Sequence, residues 1–416
     1  MAVLSWLFGD DANVLRRRNF QALLLANVIG PLGTALISPI LDSLIEPFGA
    51  TPATIGLVIS FFTAPPIVMI PLVGVLADRY GRKPILVTAI LGYGLAGTLI
   101  VFTTDFQIVL GLRFVQGIAY AGLTPIIITS IGDIYEGSLE ATAQGLRFTG
   151  SGLTQAAVPL LSGALVTIAW YYPFLFYALA FPIAVVCYAW FDEPEGGDES
   201  APRDEVAADG SEPDTLRSVL RQPYVLALVV ARGLPVVIWI GFLTYNSIIV
   251  VRLFDGTPTQ AGILVTIASV SYALAASQAG RIADTFDSRF LPLVGANVCL
   301  GVGFATFLLA PTIFVAAVGI VVTGVGFGVT LSLYRSLITG ITTKSLRGGL
   351  VGVSESIGRF AATVTPLYFG WVITVTSPRI GIGPSLQLAG VASALLVSTS
   401  SILCLVVFYS ASSYVD

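Results

Sequence analysis

The sequence predicts an all-α membrane protein of twelve transmembrane helices in two pseudo-symmetric six-helix bundles. Three observations carry that expectation: long uncharged apolar runs, a one-sided placement of arginine and lysine, and a repeat that maps the first half onto the second.

The runs come first. Of 416 residues, 55% are hydrophobic and 11% charged, against the ~25% charged typical of a soluble chain. Residues 85–103 and 386–409 hold no charge at all, and each can cross a hydrocarbon core that takes about 20 residues of helix. Backbone amides in lipid must pair within their own segment or a closed barrel. The runs lack the ~10-residue alternating pieces of barrel strands, so helices are expected. Breakers between the runs place spans near 19–41, 53–76, 84–104, 107–131, 146–169, 172–191, 223–250, 260–281, 290–310, 312–337, 349–374 and 386–410. Segment 1–18 precedes them, with Trp6 and Phe8 suited to an interfacial helix, and it lacks the features of a secretory signal. The bundles are then 19–191 and 223–410, with a short tail at 411–416. The linker 192–222 is too polar to bury and is expected to be disordered. Its residues 192–214 carry ten acids against one base, Arg203, and the chain has two lysines beside eighteen arginines. That balance suggests a halophilic source.

Orientation follows from the cations. With both termini in the cytoplasm of a cell-membrane protein, the inner side collects fourteen arginines and lysines, and the outer side keeps only Arg252 and Arg379. The repeat is equally plain. Phe48, Thr51, Pro52 and Gly56 recur 206 residues on as Phe254, Thr257, Pro258 and Gly262, and Gly74, Ala77 and Asp78 recur as Gly280, Ala283 and Asp284. One offset shared by separate stretches implies a duplicated six-helix unit, the construction of alternating-access carriers.

The loop after the second span reads Gly74-Val-Leu-Ala-Asp78-Arg79-Tyr-Gly81-Arg82-Lys83. It resembles the signature of the major facilitator superfamily, with a degenerate copy in the second half where Asp287 and Ser288 replace Gly81 and Arg82. Gly74 suits close helix contact, and Gly81 a left-handed turn. Asp78 can cap an opposing helix N-terminus. Arg79, Arg82 and Lys83 can bridge Asp133 or Glu136. The resemblance implies that this cluster, with Gly280 and Asp284, locks one conformation and breaks in the other. Arg113-Phe-Val-Gln-Gly117 is similar to a second motif of that family. Leu32-Gly33 with Pro39-Ile40, and Pro159 with Gly163, partly resemble motifs of its twelve-helix drug and metabolite exporters. Asp42, Val158 and Ser162 depart from those patterns.

Inside the spans the ionisable residues are Arg113, Arg232, Arg335, Glu355 and Arg359. A charge there costs at least ~2.5 kcal/mol to insert and marks function, or an arginine bonded to backbone carbonyls. Glu355 and Arg359 stand four apart on one helical face, which leaves two readings: a mutual ion pair, or a proton-carrying Glu355, with Asp42 as the second carboxylate. If Arg113, Arg232 and Arg359 face the cavity, anions are favoured. Asn27, Gln116, Tyr120, Gln155, Tyr245 and Asn246 lie on spans that line the cavity in the resembled family, free to bind solute or a neighbouring helix. Pro65, Pro66 and Pro71 should kink or weaken the second span. Gly324, Gly326 and Gly328 fit close helix packing better than a nucleotide loop.

Composition excludes much else. No histidine is present, so zinc sites of His type and histidine relays are unavailable. Cys187, Cys299 and Cys404 lie apart in apolar runs, which gives no disulfide framework. No catalytic constellation, metal set, cofactor motif or nucleic-acid patch stands out. The resemblance implies a monomeric carrier, not an enzyme, that moves a small solute through the bilayer by proton-coupled export of a drug-like or metabolite solute. Uptake or exchange of a small anion or sugar is the alternative.

Overall fold

The computed structural model describes residues 9–193, 216–286, 288–341 and 344–412. Trp6 and Phe8, linker residues 194–215 with Arg203, Asp287, and tail residues 413–416 lie outside the described residues. The described residues are helical, with no strand among them. Twelve long helical segments follow one another: α1 (Arg18–Ile40), α2 (Leu57–Tyr80), α3 (Arg82–Phe102), α4 (Phe106–Ile134), α5 (Gly137–Leu165), α6 (Tyr172–Trp190), α7 (Pro223–Leu253), α8 (Pro258–Asp284), α9 (Phe290–Leu309), α10 (Ile313–Gly340), α11 (Lys344–Ile380) and α12 (Ile382–Ser412). Eleven of them are long and apolar enough to cross a membrane. The remaining one, α5, has the length but carries Glu140, Gln144, Arg147 and Gln155. It starts nine residues ahead of the expected span because its first turns are polar and give no hydropathy signal. Within the linker, Leu216–Leu220 forms a short helix.

Caps and breakers explain the segment ends. The Asp105 carboxylate accepts from the Gln107 and Ile108 amides, satisfying two orphan donors at the start of α4. Thr257 and Gln260 form a reciprocal capping box at the start of α8, with Pro258 at its first position. Segment α2 is interrupted at Ala64, where Pro65 and Pro66 cannot donate to the preceding turn. In α1 the helix stops at Ile29 before Pro31 and resumes at Leu32.

Small residues set the packing inside the second bundle. A methyl at Gly324 would come within 2.8 Å of the Ala268 carbonyl on α8, and one at Gly326 within 2.6 Å of the Ala296 carbonyl on α9. The glycine triplet of α10 is therefore a packing device, shared by two neighbouring helices.

Each bundle holds six helices, and α2 and α8 are equivalent under the 206-residue repeat. Segments 74–83 and 280–286 each span the end of the second helix of their bundle, so they lie at the same face, termed here the basic face. The bundles touch along two symmetry-related helix pairs, α5 with α8 and α11 with α2, and the end of α1 packs against α7 and α8.

Candidate functional site

The seam between the bundles repeats one hydrogen bond and one glycine contact on its two sides. Ser60 on α2 donates to the Thr363 carbonyl of α11 at 2.8 Å, and its repeat mate Thr266 on α8 donates to the Ala156 carbonyl of α5. Gly163 on α5 faces the Pro258 carbonyl so closely that a Cβ would overlap it, and Gly370 on α11 does the same to the Ala53 carbonyl. Pro159 and Gly163 thus have counterparts in Pro366 and Gly370, 207 residues on. Only the first pair stood out in the sequence, because the second lies one residue off the 206-residue offset. Thr259 adds a bond to the Gly163 carbonyl at 3.1 Å. At the seam's far end Asp42 pairs with Arg252 at 2.7 Å, and the Asp42 amide donates to Ser247. Asp42 therefore joins the bundles at the face opposite the basic one.

Towards the basic face the seam parts. The last cross-bundle hydrogen bond links Thr63 and Thr363 at 3.1 Å. Beyond it, a Cβ on Gly74 or Gly280 would meet nothing within 4 Å. The close contact expected of Gly74 is absent in this conformation, and Asp78, Arg79 and Asp284 are exposed. The loop itself is ordered from within the first bundle. Gly81 sits at φ 91°, where a Cβ is strained, and a Cβ there would also meet the Glu193 carboxyl at 2.9 Å. That carboxylate accepts from the Arg82 amide and, at 2.8 Å, from the Lys83 amide, at the N-terminus of α3. The Arg82 side chain pairs with Asp133; Glu136 forms no ion pair among the described residues. Glu193 was missed in the sequence because it sits inside a linker whose many acids look alike.

The mid-membrane charges divide sharply. Arg113 is wholly buried inside the first bundle. It donates to the Val58 carbonyl at 3.1 Å, the Gly33 carbonyl at 2.6 Å, Gln116 at 2.6 Å and the Tyr177 hydroxyl at 3.2 Å, beneath the Phe62 ring. Gln116 in turn donates to the Tyr93 carbonyl. Of the two readings open for Arg113, its bonds match the arginine held by backbone carbonyls, tying α4 to α1 and α2, and Gln116 is buried with it. Asn27 is bound to α5 through the Arg147 carbonyl and Ser151. Tyr245 donates to the Pro366 carbonyl and Asn246 to the Ala261 carbonyl, both buried beside the seam.

Glu355 does not pair with Arg359. Its partner is Arg232 on α7, at 2.6 Å, with the arginine side chain 4% and the glutamate 41% exposed. Gly358 makes the seat: a Cβ there would stand 2.9 Å from the Arg232 guanidinium. Four residues apart on a helix means neighbouring positions, yet an arginine from another helix has taken the carboxylate. Arg359 instead lies over the Tyr120 ring of the first bundle, 5.8 Å from its centroid. Along α11, Gly370, Pro366, Thr363, Arg359 and Glu355 fall three or four residues apart on one face, running from the seam into the opening. Gln155 and the Tyr120 hydroxyl have no hydrogen-bond partner among the described residues, and no metal-holding cluster occurs there.

Two six-helix bundles, closed on one another at one face and parted at the other around a charged interior, define a multi-pass membrane transporter. The chain belongs to the Major Facilitator Superfamily, whose profile matches residues 23–254 and 236–412. Among relatives, the class H tetracycline resistance protein of Pasteurella multocida is 22% identical over 372 residues, 84% of this chain and 88% of that protein. The bacillibactin exporter of Bacillus subtilis (strain 168) is 31% identical over 164 residues, 38% of this chain, and the match spans only 41% of the exporter. A bacterial homolog of the human lysosomal transporter Spinster, solved inward-facing and unoccupied, superposes with a TM-score of 0.74 at 17% identity over 94% of both chains. A D-xylose–proton symporter superposes with a TM-score of 0.69 at 15% identity over 91% of this chain and 96% of that one.

Proposed function

We propose that this transporter is a proton-coupled exporter of drug-like or metabolite solutes, working as a monomer in the cytoplasmic membrane. The observation that carries the reading is Glu355, a mid-membrane carboxylate left 41% exposed on the α11 face that looks towards the other bundle. Such a group can alternate between an ionised state held by Arg232 and a protonated state that releases it. The relatives support efflux, since a tetracycline resistance protein matches over most of both chains. Placing the basic face in the cytoplasm follows the charge bias and makes the described conformation inward-facing. On this reading Gly74, Asp78, Arg79, Gly81, Arg82, Lys83 and Asp133, with Gly280 and Asp284 as the second-half counterparts of Gly74 and Asp78, act when the basic face closes.

Proteoliposomes loaded with a pH-sensitive dye and given a tetracycline gradient test the coupling. The expected result is proton movement opposite to the solute, abolished by Glu355→Gln, with solute counterflow retained in the variant. Equal proton flux in both proteins overturns the reading. The alternative, uptake or exchange of a small anion or sugar, gains from one observation, the absence of an acidic partner at Arg359.

A further inference from the structure

Arg113 makes four hydrogen bonds to protein groups and Arg232 an ion pair with Glu355, whereas Arg359 has neither kind of partner among the described residues. No carboxylate, carbonyl or hydroxyl accepts from its guanidinium among the described residues, and it lies over the face of Tyr120, near the ~6 Å limit of a cation–π contact. A guanidinium carries five donors in a rigid fork matched to oxyanions, and leaving them unmet in the middle of a membrane is costly unless water or a counter-ion reaches them. Its position lies one turn inside the last cross-bundle hydrogen bond, at the closed end of the opening. Nearby charge has the same sign. Glu355 is already held by Arg232, while Arg335, exposed on α10, lies within electrostatic reach of Arg147 on α5. The Tyr120 ring supplies an apolar face at the same point.

We propose that Arg359, with Tyr120, anchors an oxyanion on the transported solute, so that the substrates are organic anions whose flat apolar body rests against the Tyr120 ring. The proposal rests on the reading of this opening as the solute path, and it is independent of the coupling ion and of direction. It also gives the unpaired arginine a purpose: the solute supplies the missing counter-charge, and the cavity discriminates against cations of the same shape.

The test is binding to the purified full chain in detergent, free of any transport step. Three probes share one ring system: 2-naphthoate, neutral 2-naphthamide and cationic 2-naphthylmethylammonium. The wild-type protein is expected to bind the naphthoate at least about tenfold more tightly than the amide, the increment of a charge-assisted hydrogen bond, and the cation most weakly. Arg359→Gln is expected to erase the naphthoate's advantage and leave amide binding unchanged, and Arg359→Lys to restore part of it. The wild-type ranking alone decides even if a variant folds poorly. Equal affinity for anion and amide, a preference for the cation, or full naphthoate binding by a well-folded Arg359→Gln protein overturns the proposal. Loss of proton coupling in liposomes with the naphthoate preference intact would instead strike only the antiport reading.

Discussion

At one end of the bundle interface, backbone meets backbone at Gly163 and Gly370; at the other, Gly74 and Gly280 stand in open space. Both ends are built from the same duplicated helices and both use glycine, so sequence composition does not separate them. What separates them is whether the partner helix is present. Close contact at the sealed end uses residues with no side chain to move aside, reinforced by a matched pair of hydroxyl-to-carbonyl bonds and one ion pair. The open end keeps its charged groups satisfied inside a single bundle, through Arg82 with Asp133 and Glu193. A carrier of this kind can part at either end only if neither seal is individually strong.

That comparison can be broken or sharpened by substitution. The largest effect is expected from Arg113→Ala, which leaves the Val58 and Gly33 carbonyls buried without donors and should destabilise the first bundle by about 3 kcal/mol or more. A thermal melt of the purified protein would record it; an unchanged melting temperature would contradict the bonded role of this arginine. Next come Gly163→Leu and Gly370→Leu. Each overfills the seam, at about 1–3 kcal/mol, and should shift the protein towards the state closed at the basic face. A cysteine placed at Gly74 in a background lacking Cys187, Cys299 and Cys404 reports this, with thiol labelling slowing as the basic face closes. If labelling is unaffected, the glycines do not set the equilibrium. Ser60→Ala and Thr266→Ala should each weaken the seal by about 1 kcal/mol and act additively, being on separate helix pairs. Unequal or non-additive changes in the same labelling assay would argue against the twofold match. The smallest shift is expected for Asp42→Asn, about 0.5–1 kcal/mol for a partly exposed pair. High salt should bring the wild-type protein towards the variant, because screening weakens exposed pairs.

Much of the architecture could be read from the chain. Hydropathy runs, breakers and the 206-residue offset define two bundles because lipid imposes length and apolarity on every span. The fifth segment was read short at its amino end, since a helix lined by Gln144, Arg147 and Gln155 has no uniform apolar face. Partners were harder. Asp42 with Arg252, and Arg232 with Glu355, join residues over a hundred positions apart, and spacing along one helix pointed instead to Glu355 with Arg359. The functional weight placed on Arg113 had the same origin: an arginine in a span signals either a bonded anchor or an exposed charge, and the choice depends on neighbours that only the fold supplies. Arg359, which looked half of a neutral pair, has no ion-pair partner among the described residues.

One helix, α11, carries the sealing residues Gly370 and Pro366 and, further along the same stripe, Arg359 and Glu355. A single helix that bears a latch at one end and a charge at its middle joins the two through its own main chain, with Pro366 between them as a place to bend. A counter-charge arriving at Arg359 or Glu355 is therefore expected to bear on the latch through one element.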